Sequence, residues 1–321
     1  MKYVKYPFNA IKRLSFYLST EEYLALHYPA GEYFFMWQVE PSVIFGRNQL
    51  IENEVNLDYV RENGIRMYRR KSGGGCVYSD FSNIMFSFVT PDFNSEFVFD
   101  KYLGKVVDIL KGLGLNASFS GRNDILVDGM KVSGNAFYKV VDKAVVHGTM
   151  LFDTDLSVLV KAITPSNEKL ISKGIDSVRK RVRNLSELLT IDIEEFKRIM
   201  RTKLCDEEMT LTEADISGIE EIEKGYLSEE FIYGKNPRFT VIRKGYVKAG
   251  YLEIDFEIKN GTVMKSNLLG DYFLIGEQDA LLQKLVHLPF TKEAFQTALS
   301  STDLSQIILH LDLDDFLKII F

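Results

Sequence analysis

The stretch Tyr68 to Asp80, reading YRRKSGGGCVYSD, sets two arginines and a lysine before Ser72, three consecutive glycines and a strand-like Cys76-Val77-Tyr78. A bend alone needs no glycine triplet. Glycine loses more backbone entropy on folding than any other residue, so Gly73, Gly74 and Gly75 point to positive φ or to backbone held where a Cβ would clash. The partner expected that close is a ligand. Exposed N–H groups in such a loop attract anionic oxygens, and Arg69, Arg70 and Lys71 add positive charge beside them. A Gly-rich hairpin with solvated basic flanks is the plainer alternative. Neither the phosphate-loop pattern GxxxxGK[ST] nor the dinucleotide fingerprint GxGxxG occurs here.

Around this loop, 321 residues with 46% hydrophobic content suffice for a large core and two domains. A net charge of -6 speaks against a general nucleic-acid binder. Cys76 and Cys205 lie far apart in no metal-ligand spacing, which indicates neither a disulfide framework nor a zinc site and places the chain in the cytoplasm. The N-terminal MKYVKYPFNAIK has no apolar signal run, and no 18-residue apolar run occurs elsewhere, so no membrane contact is expected.

Taken outward from the loop, the chain predicts an opening strand and a helix over Ser19 to His27, with Ser19 and Glu22 at capping-box spacing. YFFMWQVEPSVIFGRNQ reads as two strands broken at Glu40-Pro41, with Gly46, Arg47, Asn48 and Gln49 at a strand end. A helix over Asn56 to Asn63, a strand over Asn83 to Thr90, and a helix over Asp100 to Leu113 follow. In that last helix Leu103, Val106, Val107, Leu110 and Leu113 share one face. Next come three strands, with Asp128-Gly129 at a hairpin turn, and then helices over Asp155 to Ile163, Asp192 to Leu204 and Thr212 to Tyr226. The loop Thr164 to Asp176 is polar, and the basic run Arg179, Lys180, Arg181 and Arg183 is a solvated face or a rim for an anionic ligand.

GKNPRF and RKG, between Gly234 and Gly245, mark a boundary, giving domains 1–240 and 246–321. Beyond it YLEIDFEIKNGTVMKS alternates around Asn260-Gly261 as an antiparallel hairpin, and short helices from Glu277, Thr291 and the C-terminal LDLDDFLKIIF complete a small α+β domain. From Tyr246 onward 6 lysines stand against 11 acidic residues, while the rest of the chain is nearly neutral. An anionic ligand therefore suits the first domain, and the smaller, acidic domain reads as a cover or accessory module.

Another polar cluster follows the glycine loop. Gly121-Arg122-Asn123-Asp124 supplies an amide and a carboxylate before a strand, Lys131 follows a hairpin turn, and His147-Gly148-Thr149 opens a strand. His147 is either a core histidine or, with Thr149, part of a ligand surface. An Asp able to hold Mg²⁺, a Lys able to meet a phosphate, and a glycine loop able to wrap another are the parts needed for attack on an ATP α-phosphate. No Cys, Ser or His has an evident nucleophilic partner. The residues thus favour an adenylate-forming reaction in which a substrate carboxylate is the nucleophile.

At these residues the sequence resembles the lipoate-protein ligase family, in the wider class that includes biotin-protein ligases. The matching stretches are EPSVIFGRNQ, RRKSGGGCVYSD, GRNDILVDGMKVSGNAF and HGTMLF, in family order and at family-like separations. The resemblance implies an α+β fold: a large mixed-sheet catalytic domain of the biotin/lipoate ligase type with a small C-terminal α+β accessory domain. It implies that lipoate and ATP, with Mg²⁺, give lipoyl-AMP and pyrophosphate. The lipoyl group then passes to a lysine of carrier domains, namely lipoyl domains of 2-oxoacid dehydrogenases and the glycine cleavage H protein. Lys131 matches the essential lysine, Arg70 the arginine beside the lipoyl tail, and Gly73, Gly74, Gly75, Val77 and Tyr78 the loop around the adenylate. Asn123 and Asp124 match the phosphate and Mg²⁺ side, with Asp124 the metal ligand, and Ser133, Gly134, Ala136, His147, Gly148 and Thr149 line the same pocket. Cys76 stands where small residues are usual, and Ser79 where many relatives carry His. The apolar tail needs a tunnel, for which the Trp37 to Phe45 strands and the Phe86 and Phe88 strand offer walls. Octanoate should be accepted as well as lipoate, and a monomer is expected.

The alternative is a carrier-to-carrier octanoyl or lipoyl acyltransferase. Such enzymes use a cysteine near the position of Asn123, where SGRND has none, and Cys76 has no base nearby in sequence. Biotin ligation fits less well, because the basic glycine loop of those enzymes has another pattern. A non-catalytic carrier-binding module would need neither Lys131 nor Asp124.

Overall fold

A computed structural model describes residues 1–47, 49–91, 95–120, 123–163, 181–233 and 241–321. Asn48, Gly121, Arg122, the loop 164–176, Arg179, Lys180 and the 234–240 part of the expected junction lie outside the described residues. The chain forms two compact units, Met1–Arg47 with Glu54–Ser228, and Asn48–Asn53 with Glu229–Phe321.

In chain order the first unit contains β1 (Lys2–Lys5), α1 (Leu14–His27), β2 (Tyr33–Trp37) and β3 (Ser42–Phe45). After α2 (Ile51–Glu54), which belongs to the second unit up to Asn53, come α3 (Leu57–Glu62), β4 (Arg66–Arg69), β5 (Val77–Ser79), β6 (Ile84–Thr90) and α4 (Ser95–Gly112). Then follow β7 (Ala117–Phe119), β8 (Asp124–Val127), β9 (Met130–Val140), β10 (Lys143–Met150) and α5 (Leu156–Ile163). It closes with α6 (Ile193–Leu204), β11 (Glu207–Thr210) and α7 (Glu213–Leu227). Among the described residues, eight strands form a mixed sheet in the order β11-β1-β2-β6-β10-β9-β8-β7, with β1 parallel to β11 and β2 and the remaining pairs antiparallel. A smaller sheet, β4-β3-β5, carries the glycine loop between its outer strands.

Helices cover both faces of the sheet, one of them apolar and the other carrying the buried polar residues Ser87, Lys143, His147 and Thr149. Phe34, Phe86, Phe88 and Val146 pack with Leu103, Val106, Val107 and Leu110 of α4 and with Phe196 and Met200 of α6, the helical face expected from the spacing. Helix α1 lies on the other face, against β6, β9 and β10, and packs on α7. It starts at Leu14, five residues before the expected Ser19 cap. Ser19 is buried inside the helix, and its hydroxyl donates to Ser15 O at 2.8 Å. The cap spacing of Ser19 and Glu22 is therefore coincidental. Real caps occur on α6, where Asp192 accepts from Glu195 N–H, and on α7, where Thr212 and Asp215 cap reciprocally.

The second unit holds α8 (Glu229–Ile232) and a three-stranded antiparallel sheet, β12 (Val241–Val247), β13 (Gly250–Lys259) and β14 (Thr262–Tyr272). The helices α9 (Gln278–Leu285), α10 (Lys292–Leu299) and α11 (Leu313–Ile320) follow. Leu252, Ile254, Phe256 and Ile258 of β13 point inward onto Leu281, Phe295 and Phe316, and the intervening Glu253, Asp255 and Glu257 point away.

Two hairpins use the turn chemistry their sequence announces. Asp128 and Gly129 adopt φ +51° and +77°, and Asn260 and Gly261 adopt +52° and +72°. The β9–β10 turn does not: Val141, 82% exposed, sits at φ +50°, a conformation that β-branched residues adopt only under strain. Replacing Val141 with Asn should raise unfolding stability by about 1 kcal/mol in a urea titration. An unchanged midpoint would show that the turn carries no such strain.

Candidate active site

Arg70, Gly74, Gly75, Val77, Asn123, Lys131, Gly134, Ala136, His147, Gly148 and Thr149 line one cavity of about 620 Å³, counted to its open mouth. Leu18, Trp37, Ile44, Cys76, Met85 and Asn135 complete the lining. Strands β3, β5, β9 and β10, helix α1 and the glycine loop thus meet around one space. Four singled-out residues stand outside the lining. Gly73 contributes its carbonyl to Arg70, Tyr78 is buried in β5, Ser133 accepts from Asn135 Nδ2, and Asp124 reaches Lys131. Of the expected apolar walls Trp37 holds, but Phe86 and Phe88 face the opposite side of the sheet and pack on α4. The period-2 pleat instead presents Met85 to the cavity.

The glycine loop is shaped from inside by a single guanidinium. Arg70 is buried, and its Nε donates to Ser72 Oγ at 3.0 Å and to Gly73 O at 3.2 Å. Nη1 donates to Ile44 O at 3.0 Å, and Nη2 to Gly73 O and Gly75 O, both at 2.7 Å. Burial pulls its pKa down to about 10, which still leaves it charged at neutral pH. The other basic residues do not face the loop N–H groups as expected. Arg69 is fully buried, donates to Gly46 O and Arg47 O and stacks on Phe45, while Lys71 pairs with Glu22 of α1 at 2.6 Å. The RRK triplet anchors the loop, and only Arg70 of the three lines the cavity.

Glycine use is also redistributed. Within the triplet only Gly74 has a positive φ, +90°, whereas Gly73 and Gly75 have room for a Cβ as far as the chain itself is concerned. The crowded position is Gly46, where a Cβ would fall 2.3 Å from Gly74 O. At Gly134 a Cβ would meet Lys131 Nζ at 2.7 Å, so the missing side chain lets the lysine lie across β9.

Lys131 Nζ pairs with Asp124 Oδ1 at 2.8 Å, both side chains being partly exposed. Its backbone pairs with the end of the basic run, through Lys131 N–H to Arg181 O at 2.7 Å and Arg183 N–H to Lys131 O at 2.9 Å. The Arg183 guanidinium lies beside Asp128 and Glu187. Asn123 is pinned by Nδ2 donating to Asn135 O at 2.8 Å, with Asn135 Nδ2 returning a bond to Asn123 O at 2.9 Å. Among the described residues, no three His, Cys, Asp or Glu side chains gather into a metal cage.

His147 lies in the middle of β10 rather than at its start, and it has the partner that sequence spacing did not reveal. Nε2 is 2.7 Å from Ser72 Oγ, and Nδ1 is 2.9 Å from Glu21 Oε2. Glu21 is fully buried on α1 and also accepts from Ser87 and Tyr138. An acidic residue inside an otherwise apolar helix face was the available signal for it. Cys76 lines the cavity, but burial pushes its thiol up to about 12, which suppresses thiolate chemistry at neutral pH.

Among known proteins, the family model for the lipoyl protein ligase A/B catalytic domain matches residues 14–205, and that for the bacterial lipoate protein ligase C-terminus matches residues 236–320. Lipoate-protein ligase 1 of Staphylococcus aureus is 37% identical over 311 residues, covering 94% of this chain and 95% of that one. A chain from the structural analysis of an archaeal lipoylation system, a bipartite lipoate protein ligase and its E2 lipoyl domain from Thermoplasma acidophilum, superposes with a TM-score of 0.67 at 28% identity, over 75% of this chain and 98% of that one. A lipoate-protein ligase A solved with ATP bound gives a TM-score of 0.62 at 27% identity, over 72% and 97%.

The packing makes the glycines separable. Gly46→Ala should cost about 1–3 kcal/mol of unfolding stability through its collision with Gly74 O. Gly73→Ala should leave stability within about 0.5 kcal/mol. Equal losses in denaturant titrations of the two variants would contradict this assignment.

Proposed function

The chain belongs to the lipoate-protein ligase family, and from that premise we propose how its cavity carries out the two half-reactions. In the first, a lipoate carboxylate oxygen bonds to the α-phosphorus of ATP as the bond to pyrophosphate breaks, giving lipoyl-AMP. In the second, the amine of a carrier lysine attacks the acyl carbon, AMP leaves, and the amine loses a proton. The carriers are lipoyl domains of 2-oxoacid dehydrogenases or the glycine cleavage H protein, and the reaction belongs to the cytoplasm, where free cysteines stay reduced.

The observation that carries this reading is the lining itself, which joins apolar Leu18, Trp37, Ile44, Val77 and Met85 to Lys131, Asn123, Thr149 and the glycine backbone in one cavity. An extended fatty acid with a charged head needs both kinds of surface. Lys131 would stabilise charge that builds on phosphoryl oxygens in the first step and on the acyl oxygen in the second. Asp124 now neutralises it at 2.8 Å, so an incoming phosphate would take over that role. Mg²⁺ usually takes one or two protein carboxylates and fills its remaining positions with phosphates and water, so the single carboxylate of Asp124 fits an ion that arrives with the nucleotide. Such an ion would supply charge neutralisation at the phosphates.

The acyltransferase alternative needs a reactive thiol. Cys76 has its pKa raised to about 12 and Cys205 to about 11, each mainly by burial, and neither suits that role. Octanoate should serve as a substrate, since it shares the carboxylate and the extended apolar chain. Biotin should not compete with lipoate, because its ureido group would bury unpaired polar atoms at about 1–3 kcal/mol.

Lys131→Ala should slow both half-reactions by about 100- to 1,000-fold, the loss expected for one well-placed transition-state donor. The deciding assay supplies preformed lipoyl-AMP to the folded variant and follows modification of an apo lipoyl domain. Transfer at the wild-type rate would confine Lys131 to activation. Gly75→Ala separates ligand contact from folding: it should leave stability within about 0.5 kcal/mol, yet lower kcat/KM for lipoate. Unchanged kinetics would remove Gly75 from the ligand surface.

A further inference from the structure

Glu21 does not touch the cavity, yet it stands at the end of a hydrogen-bonded row that does. Its carboxylate accepts from Ser87 Oγ at 2.6 Å, Tyr138 Oη at 3.1 Å and His147 Nδ1 at 2.9 Å. A buried carboxylate surrounded by donors acts only as an acceptor, so it places the imidazole proton on Nδ1 and leaves a lone pair on Nε2. Ser72 Oγ lies 2.7 Å from that lone pair and already accepts from Arg70 Nε at 3.0 Å. The hydroxyl has one proton, which therefore points at His147. The polarity of the whole row, from Arg70 through Ser72 and His147 to Glu21, follows from the carboxylate. The other guanidinium N–H groups hold Gly73, Gly75 and Ile44.

Ser72, His147 and Glu21 are spaced like a nucleophile, base and acid. Ser72, however, is 1% exposed, lies outside the cavity lining, and has Arg70 on its oxygen, so the row transmits position rather than performing acyl transfer. We infer that Glu21 is a positioning residue: by fixing the tautomer of His147 it holds Ser72 and Arg70 in the arrangement that keeps the glycine loop closed around the acid-binding cavity. What the loop binds rests on the ligase reading; the row does not.

Glu21→Gln keeps the shape but turns one acceptor into an NH₂ that must face a donor. In ¹⁵N-histidine NMR, with the resonance among the four histidines assigned by its loss in His147→Gln, the wild type should show the Nδ1–H form and Glu21→Gln should shift it toward Nε2–H. The KM for lipoate should rise about tenfold or more, while kcat changes by less than about threefold. Ser72→Ala should raise KM to a similar degree with the Nδ1–H signal preserved, and it decides the matter should Glu21→Gln fail to fold. An Nε2–H form in the wild type, or a KM within about twofold of wild type in Ser72→Ala, would overturn the inference. A wild type without lipoate-dependent turnover would instead count against the ligase reading, leaving the NMR result to judge the row.

Discussion

The site depends on one buried cation whose charge is met by peptide carbonyls and a hydroxyl. Arg70 is the shared donor for Ile44 O on β3, for Gly73 O and Gly75 O in the loop, and for Ser72 Oγ. Charge-assisted bonds of this kind are roughly twice as strong as neutral ones, and each acceptor left unpaired in the interior would cost about 1–3 kcal/mol. A loop rich in glycine, which would otherwise sample many conformations, is thereby confined to one. Gly46 makes that confinement possible sterically, because only a residue without a side chain lets the Gly74 carbonyl approach. Since, among the described residues, peptide dipoles rather than a carboxylate surround the guanidinium, its positive charge is not cancelled there, and the cavity it lines favours an anionic ligand.

From this constraint the rest of the site is built in two directions. Toward the interior, Ser72 and His147 carry the loop to Glu21, and Lys71 carries it to Glu22, so two adjacent glutamates on α1 secure two adjacent loop residues. Toward the cavity, β9 presents Lys131 over Gly134, with Asp124 from β8 beside it. Ser87 and His147, 60 residues apart in sequence, are brought into register by the antiparallel pairing of β6, β10 and β9, in which Ser87, His147 and Ala136 stand side by side. The chemistry is therefore as rigid as the sheet that carries it.

Much of this was legible in the sequence because local physics is strong there. The glycine triplet, the Asp128-Gly129 and Asn260-Gly261 turns and the α4 stripe all announce themselves through backbone conformation or spacing. What sequence alone missed depends on distant partners. Glu21 reads as a polar residue near a helix start until β10 supplies His147, and Arg69 and Lys71 read as ligand-facing charges until the loop folds back over them. The short strands β4, β7 and β11 are too brief, and β11 too exposed, for alternation to show. The β9–β10 turn was hidden because its positive-φ position falls on the β-branched Val141 rather than on a glycine, Asn or Asp. The direction of Phe86 and Phe88 hinged on a one-residue choice of face, which only the packing of α4 settles.

The central claim is that this cavity activates a free carboxylic acid by adenylation before any carrier arrives. The most direct measurement mixes the purified enzyme with lipoate and γ-labelled ATP, omits every carrier protein, and follows labelled pyrophosphate in a rapid-quench experiment. The account predicts a lipoate-dependent burst of about one pyrophosphate per active site. Absence of that burst, with acyl transfer proceeding from an acylated carrier without ATP, would contradict it.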